Sequence, residues 1–408
     1  MAKKKTDGKA AQKADASKLE IVDAAINKAF GEGTIIRLAG GCGLRVFDGQ
    51  IPTGSLGLDI ALAPVAFVEG HWQHGIPRGK LVEMFGPEGS GKTTLCLQII
   101  ANAQAAGGHA AFIDAEHAMD PTWASRLSVR LDELRFSQPN SGEEALSILD
   151  TLVRSKQYSV IVVDSVAAMV PQAELDGEMG DSHMGLQARL MSQAMRKIRG
   201  AFGEGCDCLV IFTNQIRMKI GVMFGNPETT PGGNALKFYA DIRIDVRQGP
   251  KITIPGPGET PIVIGQTLKT KAVKNKVGAP YRTSECTLLY GAEGYKCGVD
   301  LNKELVDLAV DTGVIQKNGS WYVLPSDEKF QGIDGIIQAI YNTRDAQGRG
   351  GIGWDLYNAI LEKVMARSGY AKDGTRLPDA PVITPAMSLT DLMQAGHGSG
   401  QELPVEPE

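Results

Sequence analysis

Apolar runs alternate with amphipathic stretches through the middle of the chain. Four runs have the length and composition of strands buried on both faces, at 81–85, 109–114, 159–164 and 208–213. Apolar residues recur at helical spacing at 93–106, 143–154 and 183–202. This alternation predicts an α/β fold with a mostly parallel central sheet, whose ligands bind at the carboxyl ends of the strands.

The pattern changes towards both ends of the chain. Further strands are predicted at 237–246, 266–273 and 283–290. Short helices are predicted at 303–311, 332–341 and 354–367, with a strand at 321–324. Near the N-terminus the pattern predicts a helix at 18–30 and a strand at 34–38.

Together these patterns divide the chain into five predicted segments. They are a disordered basic arm at 1–17, an N-terminal helix and strand at 18–44, a core at 45–295, a small C-terminal α/β domain at 296–370 and a flexible, mildly acidic tail at 371–408.

Composition limits the class of protein more than it identifies a partner. Six cysteines in 408 residues are too few for a disulfide framework, so we expect a reducing, cytoplasmic setting. No apolar run approaches the length of a membrane span, and no membrane partner is expected. Because the formal net charge is −5, any nucleic acid must be bound by local groups instead of a global basic field.

The most specific local motif is a phosphate-binding loop. Residues 86–93 read Gly-Pro-Glu-Gly-Ser-Gly-Lys-Thr, between an apolar strand and a predicted helix. The glycines let backbone N–H groups turn towards an anion, and the helix start adds its dipole. We expect Lys92 to reach the β- and γ-phosphates of a nucleoside triphosphate and the Thr93 hydroxyl to bind Mg²⁺. The alternative, a chance glycine-rich turn, does not account for both flanks.

Two other predicted strands end in carboxylates. The run at 160–164 ends in Asp164, the position expected for a second Mg²⁺-orienting residue. The run at 112–116 contains Asp114 and Glu116, either of which could polarise an attacking water as a general base. We favour Glu116 as the base and a structural cap at the strand end for Asp114.

Five stretches carry a resemblance to a known family, at 86–94, 112–120, 180–185, 214–230 and 273–276. They resemble the bacterial RecA recombinases, and the resemblance covers roughly residues 18–370. The stretch 214–230 is far more specific than a phosphate loop, which many unrelated ATPases share. The resemblance implies a RecA-like P-loop ATPase core, with a helix-and-strand oligomerisation segment before it and a small α/β domain after it.

The resemblance also implies roles around ATP and Mg²⁺. Glu116 would activate water, Asp164 would orient Mg²⁺, and Gln215 would sense the γ-phosphate and relay its state to the adjoining loop. Lys274 and Lys276 would reach the ATP of a neighbouring protomer. The residues expected to contact ATP are Gly86, Pro87, Glu88, Gly89, Ser90, Gly91, Lys92, Thr93, Thr94, Asp120, Trp123, Asp164, Lys274 and Lys276. The family usually has tyrosine at the position of Trp123, so the stacking face is kept and the hydroxyl is lost.

Two loops, at about 172–184 and 216–231, would face DNA by the same resemblance. Apolar side chains in the second loop could separate stacked bases without reading their sequence. The expected contacts are Met184, Arg189, Arg196, Arg217, Met218, Lys219, Ile220, Gly221, Gly232 and Gly233. A solvated helix face is the alternative for Arg189 and Arg196, and buried loop anchors are the alternative for the apolar residues.

The resemblance further implies assembly and partners. Helix 18–30, strand 34–38 and Phe238 would pack on the next protomer and build a helical filament of the chain with itself. The expected partners are single-stranded DNA, double-stranded DNA and a repressor of the SOS-type damage response, whose self-cleavage the family stimulates.

The chain departs from the family pattern between residues 63 and 74, where it carries about nine additional residues. His71 and His74 in this insertion could be read as metal ligands, but no carboxylate or thiol cluster accompanies them. A solvent-facing loop is therefore expected. Cys206 and Cys208 are likewise interpreted as packing residues at a helix end and a strand.

Two other functions remain as alternatives to a strand-exchanging, DNA-dependent ATPase. A regulatory relative that coats DNA without exchange would be expected to lack Glu116, Gln215 or the loop at 214–230, all of which are present. A ring-forming motor or a small-molecule kinase leaves the apolar loop and the N-terminal helix unexplained.

Overall fold

The structure, a computed structural model, describes residues 18–32, 34–35, 49–178, 185–203, 205–219, 221, 225, 227–256, 260–343, 350–367 and 371–372. The chain divides into two units, Met1–Asp48 and Gly49–Glu408. In the first unit, helix α1 (18–30) ends at Gly31, whose φ of 108° suits glycine. This helix leaves four apolar side chains exposed, those of Leu19, Ile21, Val22 and Phe30.

The second unit contains all the other helices and strands that the structure describes. The helices are α2 (Leu56–Leu62), α3 (Lys92–Ala105), α4 (Pro121–Arg126), α5 (Gly142–Ser155), α6 (Gln172–Leu175), α7 (Leu186–Gly203), α8 (Ala235–Tyr239), α9 (Leu301–Asp311), α10 (Gly332–Asn342) and α11 (Gly351–Arg367). The first nine strands are β1 (Gln50–Ile51), β2 (Ala66–Val68), β3 (His71–Gln73), β4 (Ile76–Pro77), β5 (Leu81–Gly86), β6 (Ala110–Asp114), β7 (Arg135–Ser137), β8 (Val160–Asp164) and β9 (Leu209–Gln215). The others are β10 (Arg217–Met218), β11 (Glu228–Thr229), β12 (Ile242–Pro255), β13 (Pro261–Asn275), β14 (Thr283–Tyr290), β15 (Cys297–Val299), β16 (Gln316–Asn318), β17 (Trp321–Val323) and β18 (Lys329–Gln331).

A large sheet of nine strands organises this unit, in the order β15-β14-β13-β12-β5-β9-β8-β6-β7. The strands from β12 to β7 along this order are parallel, whereas β13, β14 and β15 join by antiparallel pairing. The predicted mostly parallel α/β sheet is therefore confirmed. Parallel strands place their carboxyl ends on one edge, so the loops after β5, β6, β8 and β9 lie together.

Alternate side chains of each central strand enter two different cores. In β8, Val160 and Val162 pack in one hydrophobic cluster, while Ile161 and Val163 pack in the other. Helix α3 covers the first face, and α5 and α7 cover the second. Burial on both faces explains why these strands are continuous apolar runs instead of alternating patterns.

The predicted strand at 237–246 is wrong in its first half. Residues Ala235–Tyr239 form helix α8, and β12 begins only at Ile242. Ala235 and Leu236 are buried while Phe238 is 73% exposed, so a short helix presents its apolar residues to two environments. Of the predicted strand at 34–38, residues 34 and 35 form a bend and the rest lie outside the described residues.

Helices α9 to α11 and the small sheet β16-β17-β18 share a third hydrophobic core. Leu56 and Val65, from the region before the large sheet, are part of this core. Glu304 of α9 also caps the start of α2: its carboxylate accepts hydrogen bonds from the Ser55 hydroxyl (2.5 Å), the Gly57 N–H (3.0 Å) and the Leu56 N–H (3.1 Å). The C-terminal elements therefore share both apolar and polar contacts with the earlier chain.

The additional residues at 63–74 form a hairpin of β2 and β3 instead of the solvent-facing loop we expected. Trp72 Nε1 donates to Asn358 Oδ1 of α11 at 2.8 Å, and the Trp72 ring meets Phe67 edge-on at 4.9 Å. His71 is exposed as predicted, but His74 is only 11% exposed, with its ring nitrogens 2.7 Å from Asp59 Oδ2 and 2.7 Å from the Tyr357 hydroxyl. The hairpin thus packs against α11, and that contact buries His74.

Neither predicted packing cysteine is exposed, since Cys206 and Cys208 are each 1% accessible. Among the described residues, no group of three or more His, Cys, Asp or Glu side chains could hold a metal ion. None of the described helices is both long and apolar enough to cross a membrane.

The hairpin contact predicts that Trp72→Ala destabilises helix α11. Losing the half-buried indole and its bond to Asn358 should cost about 2 kcal/mol and raise amide hydrogen exchange in α11. His71→Ala, on an exposed side chain of the same hairpin, is the control and should change stability by less than about 0.5 kcal/mol. Unchanged exchange in α11 of the Trp72 variant would show that the hairpin does not support this helix.

The buried carboxylate of α9 predicts a dependence of stability on pH. Burial raises the pKa of Glu304 from its ordinary 4.5 to about 7, against the opposing hydrogen bonds from Ser55, Gly57 and Leu56. The folded state therefore favours the protonated form, and this contribution to stability is lost as the pH rises through about 7.

Glu304→Gln stays neutral, so the free energy of unfolding of the variant should gain on that of the unmodified protein between about pH 5 and about pH 8. Urea unfolding across this range measures the difference. Glu328→Gln, at an exposed carboxylate, serves as the control and should show no such trend. A Glu304 variant whose stability runs parallel to that of the unmodified protein would contradict the interpretation.

Candidate nucleotide site and its neighbouring loops

The phosphate loop connects β5 to α3 at the carboxyl edge of the large sheet. Gly89 and Gly91 have φ values of 69° and 92°, which favour glycine, and a Cβ on Gly89 would meet open space. Lys92 Nζ donates to the carbonyl oxygens of Pro87 (2.8 Å) and Gly86 (3.2 Å). The buried Ser90 hydroxyl has no protein partner in the described structure. This turn, with a lysine and an unpaired hydroxyl, fits the polyphosphate of a nucleotide.

Asp164 meets the start of α3 from the end of β8. Its Oδ2 accepts a hydrogen bond from the Thr93 hydroxyl at 2.6 Å, and its Oδ1 accepts one from the Thr213 hydroxyl at 2.5 Å. Burial raises the pKa of Asp164, although these two hydrogen bonds oppose the rise. Burial also lowers the pKa of Lys92, against the attraction of Asp164 and Glu116. A carboxylate next to a threonine hydroxyl is a donor set that suits Mg²⁺.

Glu116 lies beyond the end of β6, and its side chain is held by two donors on one oxygen. Gln215 Nε2 donates to Glu116 Oε1 at 3.0 Å, and the Ser165 hydroxyl donates to the same oxygen. Asp114, in contrast, accepts from the backbone N–H groups of Ala118 and Met119. The predicted structural role of Asp114 is confirmed, and Glu116 is the carboxylate that faces the phosphate loop.

A cavity of about 250 Å³ joins these residues. It is lined by Glu88, Gly89, Gly91, Lys92, Thr93, Thr94, Glu116, Asp164, Gln215, Gln266, Leu288 and Tyr290. Three of these residues, Gln266, Leu288 and Tyr290, were not predicted from the sequence; β13 and β14 bring them across the sheet. The only sequence signal for Tyr290 was an aromatic residue at the end of a predicted strand, before Gly291. Such a residue is equally typical of ordinary packing, so it did not indicate a nucleotide site. A larger cavity of about 780 Å³ lies elsewhere, between β12–β14 and α9, and contains no phosphate-binding turn.

The residues expected to hold adenine lie beside this cavity instead of lining it. Asp120 caps α4 by accepting the Thr122 N–H at 2.8 Å. Trp123 Nε1 lies 3.4 Å from the Thr94 hydroxyl, and its ring lies under the Arg126 guanidinium at 5.8 Å. Trp123 thus contacts a residue that lines the cavity without lining the cavity itself. Its contact with adenine remains a prediction.

The loop after β9 begins at Gln215, the residue that contacts Glu116. Its described part is a short ribbon of β10 and β11, in which Lys219 N–H donates to Pro227 O at 2.9 Å. Arg217, Met218 and Lys219 are exposed, and Met218 is exposed by 66%. An apolar side chain this exposed does not serve as a buried loop anchor, which removes that alternative for Met218.

The other expected DNA contacts lie on α7, elsewhere in this loop, or outside the described residues. Arg189 and Arg196 are exposed and seven residues apart on α7, so they lie on one face. Gly221 is exposed. At Gly232 and Gly233 a Cβ would come within 2.7 Å of Val166 and Ala188 respectively. Close packing therefore accounts for glycine at both positions. The two expected contacts outside the described residues are Met184 and Ile220.

Lys274 and Lys276 lie at the opposite edge of the sheet. Strand β13 runs antiparallel to β12, so Lys274 pairs with Arg243 near the start of β12. The start of β12 in turn pairs with the start of β5, whereas the phosphate loop follows the end of β5. Six residues of strand separate these ends by roughly 16 Å. Neither lysine can reach the phosphate loop of its own chain.

Comparison with known proteins gives the family of the chain. Residues 17–295 match the family model for the RecA N-terminal domain. A protein named RecA from Methylococcus capsulatus is 53% identical over 311 residues, 76% of this chain and 84% of the relative. RecA proteins from Azospirillum lipoferum and Blastochloris viridis are 47% and 48% identical, over 92% and 89% of this chain and 97% and 99% of their own lengths. The chain belongs to the RecA family.

As a RecA family member, the chain is a DNA recombinase of DNA repair that binds ATP and DNA. Its two departures from the family pattern, the 63–74 insertion and Trp123, leave the phosphate loop, Glu116, Asp164 and Gln215 in place. Trp123 does contact Thr94, which lines the cavity, so of the two departures only the insertion lies away from the candidate nucleotide site.

This site predicts that Glu116→Gln separates nucleotide binding from turnover. ATP binding should persist because the phosphate loop is unchanged, while turnover on DNA should fall about 10²- to 10⁴-fold without the carboxylate. Nucleotide binding and phosphate release measure the two effects. Asp132→Asn, at an exposed carboxylate outside the site, is the control and should keep normal turnover. Full turnover in the Glu116 variant would remove this residue from its role.

Proposed function

We propose that the chain hydrolyses ATP in a DNA-dependent manner, forms helical filaments on single-stranded DNA, and exchanges strands with a homologous duplex. The observation that carries the proposal is the 3.0 Å hydrogen bond between Gln215 and Glu116. It joins a carboxylate suited to activating water to the first residue of an exposed loop suited to DNA. The binding of DNA and the hydrolysis of ATP would therefore be coupled through the side chain of Gln215.

The hydrolytic step rests on residues at the carboxyl edge of the sheet. Lys92 and the backbone N–H groups of the phosphate loop would hold the β- and γ-phosphates, and Thr93 and Asp164 would hold Mg²⁺. When bound there, the metal ion would neutralise charge on the transferred phosphoryl group. Glu116, oriented by Ser165 and Gln215, accepts a proton from the attacking water.

Coupling to DNA rests on the loop that Gln215 begins. Arg217 and Lys219 neutralise DNA phosphates, while Met218 inserts its exposed side chain between base steps. Because these contacts are to backbones and base faces, they hold a strand without reading its sequence. Homology is then recognised by base pairing between the bound strand and the duplex.

Filament formation rests on the position of the two lysines and on exposed apolar residues. Lys274 and Lys276 complete the ATP site of a neighbouring protomer, since they cannot reach their own. Helix α1 and Phe238, whose apolar side chains are exposed, pack against neighbouring copies. Such head-to-tail contacts generate a helical polymer when they do not close a ring. The same filament would stimulate self-cleavage of a damage-response repressor.

The direct test measures ATP turnover with and without single-stranded DNA, images the assembly and assays strand exchange. Turnover should require DNA, the images should show helical filaments, and exchange should occur with homologous but not with heterologous duplexes. Turnover indifferent to DNA, or closed rings, would favour a motor of another class. Filaments without exchange would favour a regulatory relative that only coats DNA.

The coupling role predicts that Gln215→Asn separates DNA binding from stimulated hydrolysis. The side chain is one methylene shorter, so its amide cannot hold the 3.0 Å bond to Glu116. DNA binding should persist, while stimulation of turnover by DNA should fall about tenfold or more. Fluorescence anisotropy of labelled DNA and phosphate release measure the two effects.

Gln157→Asn, at an exposed position after α5, is the matched control for this substitution. It should leave the stimulation by DNA unchanged. A Gln215 variant with normal stimulation would show that the hydrogen bond to Glu116 does not carry the signal.

A further inference from the structure

Asp241 lies between α8 and β12, at the edge of the sheet opposite the phosphate loop. Its side chain is only 2% exposed, yet it accepts hydrogen bonds from Arg199 Nη1 and Nη2 at 2.7 and 2.8 Å. The Lys276 ammonium lies 3.2 Å from Asp241 Oδ1, and the Leu81 N–H lies 3.2 Å from Oδ2. This single carboxylate thus connects helix α7, the start of β5 and Lys276.

We propose that Asp241 is the positioning residue that presents Lys276 to the triphosphate of a neighbouring protomer. The inference rests on the proposed function, since it requires that Lys276 acts across an interface between protomers. It adds a residue that the phosphate loop, the catalytic carboxylate and the DNA loops do not include. Asp241 itself touches neither nucleotide nor DNA and acts only through Lys276.

The local charges explain why Asp241 orients Lys276 without neutralising it. Although burial opposes ionisation, the Arg199 and Leu81 hydrogen bonds hold the pKa of Asp241 below its usual range. The bidentate Arg199 guanidinium already balances the one negative charge. Lys276 therefore brings an excess positive charge, and its side chain is 45% exposed. An ammonium held in place with uncompensated charge is suited to meet an incoming phosphate.

Backbone contacts fix the other end of the same lysine. The Lys276 N–H donates to the Asp241 carbonyl at 3.0 Å, and the Asp241 N–H donates to the Leu81 carbonyl at 2.7 Å. Asp241 therefore holds both the main chain and the side chain of Lys276. Lys274 is held differently, because its ammonium donates to the carbonyls of Lys237 (2.7 Å) and Phe238 (2.8 Å) at the end of α8. The two lysines are therefore separable by mutation.

Asp241→Asn keeps the size of the side chain and removes its charge. Turnover on single-stranded DNA should fall about 10- to 100-fold, because Lys276 loses its fixed position. Binding of a fluorescent ATP analogue by the protein without DNA should stay unchanged, since that site lies at the other edge. Asp59→Asn is the matched control: this carboxylate is 1% exposed, and it accepts from Thr53 and lies beside His74, but contacts neither lysine.

Asp241→Ser gives a second variant, because serine keeps a small polar side chain at this buried position but cannot hold two cations. It should show the same loss of turnover with normal analogue binding. Normal turnover in either folded variant overturns the proposal, and so does an equal loss in Asp59→Asn, which would mean that any neutralised buried carboxylate has this effect.

Mixed filaments distinguish positioning of Lys276 from an effect on the variant's own site. Glu116→Gln protomers cannot hydrolyse ATP but carry an intact Asp241 and Lys276 for their neighbours. When they are mixed in equal amounts with Asp241→Asn protomers, turnover should rise well above the average of the two proteins measured alone. Random mixing sets the ceiling at about one quarter of the unmodified rate, because half of the protomers keep Glu116 and half of these have an intact neighbour.

The same mixture with Lys276→Met in place of Asp241→Asn tests the proposed function separately. A gain in both mixtures supports the positioning role. A gain with Lys276→Met but none with Asp241→Asn overturns the inference about Asp241 and leaves the action of Lys276 between protomers intact. No gain with Lys276→Met removes the action between protomers, and the inference about Asp241 falls with it.

Discussion

The polarity of the strands in one sheet is the constraint on which the rest of this structure depends. Because β5, β6, β8 and β9 run parallel, Lys92, Glu116, Asp164 and Gln215 meet at one edge although they are distant in sequence. Because β13 runs antiparallel to β12, Lys276 directly after the end of β13 lies at the opposite edge of the same sheet. The geometry that assembles most of a nucleotide site also places a cationic group out of reach of that site in its own chain.

The parts that the sequence predicted well are those set by local pattern. Buried parallel strands are continuous apolar runs, so β8 and β9 were found to within two residues, and the predicted 283–290 coincides with β14. Tertiary contacts set the remainder. Tyr290 lines the nucleotide cavity only because β13 and β14 extend the sheet past the phosphate loop. Asp241 pairs with Arg199, which lies 42 residues away in the sequence. Helix α8 was missed because its five residues are too short for a helical period to be distinguished from a strand.

The insertion is a second example in which tertiary contacts could not be predicted from the sequence. Its histidines, without partners nearby in sequence, suggested a loop in solvent. His74 is instead held between Asp59 and Tyr357, and the latter lies 283 residues further along the chain. The hairpin and Glu304 both link the early part of this unit to its C-terminal helices, one through aromatic contacts and the other through a helix cap. The described contacts of this departure from the family pattern are with the C-terminal elements, and none of its residues lines the nucleotide cavity.

In the function that we propose, each nucleotide site is completed by a neighbouring copy of the chain. The most direct measurement is ATP turnover per bound protomer on DNA oligonucleotides of increasing length, from those that hold one protomer to those that hold many. We expect little turnover on oligonucleotides that hold a single protomer and a steep rise once two or more bind side by side. Full turnover by isolated protomers on the shortest oligonucleotides would contradict it.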